Sequence, residues 1–157
     1  MIKVNLHGNY ESVSMNAMID PGATEDCIDK RICDKHQITT KMAERPRGIY
    51  LADGNLSETG PIKQTAVVPM EIGGHKELAT LQVTNLQNYE IILGMPWLKE
   101  HNPKIDWEEQ KITFDSERCI TWCLDKLATI YAVPETKAEE QNLITRFSEI
   151  QIEDQRL

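Results

Sequence analysis

Apolar and polar residues alternate through Ile2, Val4 and Leu6, and again through Val13, Met15, Ala17 and Ile19. A period of two marks a half-buried strand, so residues 1–7 and 10–19 read as two strands. His7-Gly8-Asn9 between them is a turn signal, which makes an antiparallel hairpin that delivers Asp20. Thr24-Glu25-Asp26 then resembles a helix start, with acids in the first turn. Ile28, Ile32 and the stem of Lys35 follow at helical spacing, and the helix should end near His36-Gln37. Residues 48–52 read as a short strand, Asp53-Gly54-Asn55 as a hairpin turn, and residues 56–60 as the way back. Pro61 confines the next strand's start to an edge or a first position.

Residues 63–72, with Val67, Val68 and Ile72, and residues 76–83 read as strands on either side of Gly73-Gly74. Residues 89–93 form a buried strand before Gly94. Pro96 suits the first turn of a short helix over 97–101. Ile105-Asp106-Trp107 and Lys111-Ile112-Thr113-Phe114 pair through Glu108-Glu109-Gln110. Short strands with two small helices, up to about residue 116, predict a closed, mostly β, barrel-like domain. Residues 117–157 change character. Thr136 and Glu139 form a capping-box pattern, and Leu143, Ile144, Phe147 and Ile150 share one helical face. An amphipathic helix over about 137–150 on a linker is expected there.

A chain of 157 residues suits one such domain with an appendage. Its net charge of −8 argues against a nucleic-acid or anionic-membrane surface, since both need clustered Lys and Arg. No apolar run approaches the roughly 18–20 residues that span a bilayer, and Met1-Ile2-Lys3-Val4-Asn5 does not read as a signal peptide. Cys27, Cys33, Cys119 and Cys123 form no Cys-x-x-Cys, and His7, His36, His75 and His101 are scattered. Cys119 and Cys123 stand four apart, a spacing that a helix stacks on one face. Free thiols in a reducing, cytoplasmic setting are the plainer reading, with a metal site or a disulfide as the minority alternative. No metal and no other cofactor is expected.

The chemistry-bearing stretch is Asp20-Pro21-Gly22-Ala23 at the end of an apolar strand. Glycine there lets backbone approach the carboxylate without a Cβ in the way. A second apolar strand also ends in glycine: Ile91-Ile92-Leu93-Gly94. Together these resemble a retropepsin, the dimeric aspartic protease of retroviruses and LTR retrotransposons. Gly94-Met95-Pro96-Trp97-Leu98, His101-Asn102-Pro103 and Ile105-Asp106-Trp107 resemble gypsy-type retrotransposon polyproteins in particular. The resemblance covers roughly residues 1–116. It implies an acid-protease barrel with Asp20 catalytic and Pro21, Gly22 and Ala23 in its loop. It further implies that the hairpin of Leu51, Ala52, Asp53, Gly54 and Asn55 is a flap over substrate, and that Ile91, Ile92, Leu93 and Gly94 pass behind the catalytic loop. By the same resemblance, residues 117–157 are a connector toward reverse transcriptase, and the protein works inside cells or in retroelement particles. Asp106, before Trp107, faces solvent or caps a turn, and Trp97 and Leu98 belong to the core or support a dimer.

One aspartate cannot run this chemistry. The mechanism needs two carboxylates about 3 Å apart that share a proton, one activating water and the other donating to the peptide carbonyl. The chain has a single Asp-x-Gly-Ala after an apolar strand and is too short for a two-lobed enzyme. The second acid must come from a second copy, so a homodimer acting on an extended peptide or polyprotein is expected. The chain departs from the family pattern at Pro21, where a Ser or Thr hydroxyl bridges to the partner's loop. Proline has neither hydroxyl nor N–H, and each lost hydrogen bond is worth roughly 0.5–1.5 kcal/mol. A weaker dimer and reduced activity follow. Two alternatives stay open: a catalytically inactive retropepsin-fold module for dimerisation or peptide binding, and an acidic β-domain adaptor that works through the helix at 137–150.

Overall fold

A computed structural model describes residues 1–8, 11–48, 54–56 and 60–126. Strand β1 (Ile2–His7) and strand β2 (Ser12–Ile19) pair antiparallel with Val4 opposite Met15 and Leu6 opposite Val13. Gly8 N–H donates to Glu11 O at 2.9 Å and closes the hairpin. Val4, Leu6, Met15 and Ala17 are buried, so the alternation in the sequence is the alternation of inner and outer faces.

The long strands β5 (Ile62–Ile72) and β6 (His75–Thr84) form a second hairpin, and Gly73 takes φ +58° at its turn. That φ favours glycine. The rest of the sheet is β3 (Cys27–Asp29), β4 (Thr40–Arg47) and β7 (Ile91–Leu93), and the order is β1-β2-β7-β3-β6-β5-β4. β5 also pairs with β1 through Asn5–Glu71 and Leu6–Met70, which closes six strands into a barrel and leaves β4 on the outside of β5. The core inside it holds Val4, Leu6, Ile28, Ala66, Val68, Met70, Leu81, Ile91 and Leu93. The fold is therefore the closed, mostly β barrel with short helices that the pattern implied. A separate hairpin of β8 (Lys104–Asp106) and β9 (Lys111–Thr113) follows, and Asp106 Oδ1 caps its turn by accepting Glu109 N–H at 2.9 Å.

Two sequence expectations need correction. The helix expected from Thr24 begins later. Cys27–Asp29 is a strand, fully buried between β6 and β7, and helix α1 spans only Lys30–Lys35. Asp29 is its N-cap: its carboxylate accepts Arg31 N–H at 2.8 Å, Arg31 Nε at 2.9 Å and Leu86 N–H at 2.9 Å. Burial works against that charge, but the Arg31 and Leu86 donors outweigh it and hold the carboxyl below its ordinary pKa. The second correction is β4, which the sequence reading left without an element. Helix α2 (Met95–His101) carries Pro96 in its first turn, as expected, and buries Trp97 and His101. After β9, Cys119–Lys126 forms a π-helical segment with Cys119 and Cys123 buried. The strand expected at 48–52, apart from Gly48, and the helix expected at 137–150 lie outside the described residues.

Candidate active site

Asp20 follows directly on β2, and its loop is held by its own backbone. Ala23 N–H donates to Asp20 O at 3.0 Å, a four-residue turn with Pro21 in the second position, where its fixed φ fits. Gly22 N–H donates to Asp20 Oδ1 at 2.9 Å. A Cβ on Gly22 would stand 3.2 Å from that oxygen, a tight contact that glycine avoids. Asp20 is half-buried, and Pro21 and Gly22 are exposed. The turn needs no N–H from residue 21, so proline costs it nothing within one chain.

β7 runs parallel to β2, with Ala17, Met18 and Ile19 opposite Ile91, Ile92 and Leu93. Asp20 N–H donates to Leu93 O at 3.0 Å, and Met95 N–H to Ala23 O at 2.9 Å. Gly94 sits between these bonds. An added Cβ there would lie 2.6 Å from Glu25 O and 2.7 Å from Ala23 O. The structure thus brings Asp20, Ala23, Leu93 and Gly94 into one packed unit. Asp26, which sequence reasoning assigned only to a helix start, joins it. Its Oδ1 accepts Gly94 N–H at 2.8 Å and Trp97 N–H at 3.3 Å, capping α2 from 68 residues away.

Of the residues expected to form a flap, Leu51, Ala52 and Asp53 lie outside the described residues. Gly54 and Asn55 are exposed, and Gly54 (φ +83°) and Gly60 (φ +84°) adopt backbone that favours glycine. Among the described residues no hydrogen bond joins Gly54 to the Asp20 loop. Arg47, at the end of β4, pairs with Glu25 beside that loop at 2.9 Å.

The model of the PEG10/RTL1 protease domain matches residues 16–123, a span that contains the Asp20 turn, β7 and the 119–123 segment. The chain belongs to that family. It is a retropepsin-like protease domain of the aspartic kind. It is similar to the protein DNA-DAMAGE INDUCIBLE 1 of Arabidopsis thaliana, with 27% identity over 113 residues, 72% of this chain and 26% of that protein. The chain thus spans about a quarter of that relative's length. It also resembles the crystal structure of the retroviral protease-like domain of Ddi1 from Leishmania major, at 22% identity and a TM-score of 0.48, covering 74% of this chain and 89% of that one.

Electrostatics within this protease domain single out Asp26. Burial pushes its carboxyl up to about 6; the Gly94 and Trp97 amides pull the other way, and Glu77 and Glu100 add to the rise. A folded pKa above the unfolded value means that the folded chain holds a proton where the unfolded chain has lost it. The stabilisation is complete below about pH 4 and is lost as pH rises through 6. Asp26→Asn keeps an acceptor oxygen for both amides and removes the titration. Relative to Asp26→Asn, wild type should lose on the order of 1–2 kcal/mol between pH 4 and pH 7, since water reaching the half-buried carboxyl screens part of the shift. Urea titrations of both proteins across that range check it, and a pH-independent difference would refute it.

One further group of reactive side chains lies inside the domain, away from Asp20. His75, His101, Cys119 and Cys123 are all buried, and their donor atoms lie within 4.8 Å of one another. These four could hold a metal ion. Sequence reading treated the histidines as scattered and the cysteines as free thiols. The available signals were Cys-x-x-x-Cys and the buried start of β6, but nothing local connects His75 to His101.

Proposed function

We propose that this domain is a homodimeric aspartic endopeptidase that cuts an extended segment of a polyprotein, of the kind retrotransposons encode. Asp20 from each of two copies would supply the acid pair. One carboxylate takes a proton from water; the other, protonated, donates to the peptide carbonyl as the water oxygen attacks. The supporting observation is the Asp20 turn itself: a half-buried aspartate followed by exposed Pro21 and Gly22, hydrogen-bonded to β7 and backed by Gly94, in a domain of the PEG10/RTL1 protease family. Substrate would lie as an added strand between the turn and the hairpin around Gly54, with apolar subsites setting preference. A reducing compartment suits four cysteines that form no disulfide.

A second reading rests on Pro21: a silent module that pairs or binds peptide without cutting. One experiment separates the two. The chain is fused to a downstream segment, and cleavage is followed at mildly acidic pH with and without pepstatin, alongside sedimentation. Wild type should release the segment, and Asp20→Asn should reduce release at least a thousandfold. Pro21→Ser, which restores a hydroxyl, should raise the rate by about thirtyfold, from a hydrogen bond worth about 1 kcal/mol at each of two loops. Cleavage that survives Asp20→Asn removes Asp20 from the mechanism. No cleavage by wild type or Pro21→Ser leaves the binding module.

A further inference from the structure

Four donors from three elements converge behind the barrel wall. His75 begins β6, His101 ends α2, and Cys119 and Cys123 lie on the π-helical segment. Their exposures are 1%, 2%, 0% and 2%. Cys119 Sγ stands 3.4 Å from His75 Nε2 and 3.4 Å from His101 Nδ1, and Cys123 Sγ stands 3.8 Å from His101 Nδ1. A tetrahedral zinc with Zn–S of about 2.3 Å and Zn–N of about 2.0–2.1 Å has N···S edges of about 3.5 Å. These three edges lie within about 0.3 Å of that figure, and all four donors lie within 4.8 Å of one another, a spread that an ion at the centre would draw in. Cys119 Sγ also lies 3.5 Å from His101 O, a weak bond that a thiol would make and a thiolate would not.

The outward ring nitrogens strengthen the case. His75 Nδ1 and His101 Nε2 are buried, and each faces the same oxygen, Glu77 Oε2, at 3.5 and 3.2 Å. Glu77 is buried and accepts Trp97 Nε1–H at 3.0 Å on that oxygen. A carboxylate behind two metal-binding imidazoles fixes the tautomer that turns Nε2 of His75 and Nδ1 of His101 toward the ion. Phe114 stacks on the His75 ring at 3.8 Å and Trp97 lies beside His101 at 5.1 Å, so aromatic faces enclose the cluster. We propose that His75, His101, Cys119 and Cys123 form a closed, structural zinc(II) site that fastens the segment after β9 to β6 and α2.

Two thiolates and two neutral imidazoles balance the divalent charge, and binding releases the protons that the donors carry. Four protein ligands leave no open position, so the ion holds structure and does not activate water. Thiolate and imidazole in a tetrahedron select zinc over the oxygen-seeking cations. The site also bears on the Asp20 loop through α2, whose far end is Gly94. It stands whether or not the domain cleaves peptide.

The test uses the full chain, purified from zinc-replete cells under reducing conditions without chelator. Mass spectrometry of the metal content should find one zinc per chain. Cobalt(II) replacing it should give the intense visible bands of a tetrahedral ion and a thiolate charge-transfer band in the near ultraviolet. Cys119→Ser and Cys123→Ser should each lower bound zinc at least tenfold under matched chelator competition, while Cys27→Ser and Cys33→Ser leave it unchanged. Wild type without stoichiometric zinc, a different metal in its place, or equal zinc in the Cys119 and Cys123 variants would overturn the assignment. Should those variants fail to fold, the cobalt spectrum of wild type decides: weak octahedral bands, or none, reject the site.

Discussion

Trp97→Ala should remove most of this domain's stability. Trp97 is 2% exposed, in the hydrophobic core and beside the buried His101. Truncating a buried tryptophan costs about 3–5 kcal/mol, because transfer free energy is lost and a cavity remains. A second loss adds to it. The indole N–H is a donor to Glu77 Oε2, and Glu77 is only 5% exposed. A buried carboxylate stripped of a donor costs roughly 1–3 kcal/mol more. The sum of roughly 4–8 kcal/mol is comparable to the 5–15 kcal/mol that stabilises a typical domain. The variant should therefore be largely unfolded in mild urea where wild type is intact. Trp97→Phe keeps most of the ring volume and loses the donor, so its cost should be roughly half as large or less. Urea midpoints, with unchanged slopes, read both values. A Trp97→Ala midpoint within 1 kcal/mol of wild type would mean that the indole is not part of the packed core.

The contrast between β2 and β3 explains what could be read from the chain. β1, β2, β5 and β6 each place at least part of their inner faces against the core, and their alternation reaches the sequence directly. β3 is buried on both faces, so Cys27-Ile28-Asp29 has no alternation to show, and the four-residue step from Ile28 to Ile32 imitates a helix. Pairing with β6 and β7 overrides that local signal. β4 fails for the opposite reason. It lies on the outside of β5, most of its side chains meet solvent, and Pro46 interrupts it. An edge strand of this kind has no apolar period to reveal.

The site divides in the same way. Asp20, Pro21, Gly22 and Ala23 make a turn with hydrogen bonds over two and three residues, so the motif was visible in sequence. Asp26 reaches Gly94 across 68 residues, and Cys119 reaches His75 across 44. Those contacts exist only because β7 threads between β2 and β3 and because α2 returns over β6. No local spacing encodes them.

Gly94→Ala should show how closely the loop depends on that threading. Gly94 has φ −96° and ψ −162°, extended backbone that alanine adopts readily, so the obstacle is contact alone. The new methyl would stand 2.6 Å from Glu25 O, 2.7 Å from Ala23 O and 3.1 Å from Ala23 Cβ. All three belong to the segment that carries Asp20. The short bonds on either side, Gly94 N–H to Asp26 and Met95 N–H to Ala23 O, leave little slack. Relief must come from moving the loop by an ångström or so or from breaking those bonds. Overpacking of this kind costs about 1–3 kcal/mol of stability. An ångström of misplacement at a reacting group costs about a hundredfold in rate, so the proposed Asp20-dependent cleavage should fall by more than the folded fraction does. Gly74→Ala, where an added Cβ meets nothing within 4 Å, serves as the control and should change neither. Thermal unfolding and initial cleavage rates on folded protein separate the two effects. Wild-type values for Gly94→Ala in both would show that β7 does not hold the Asp20 turn in place.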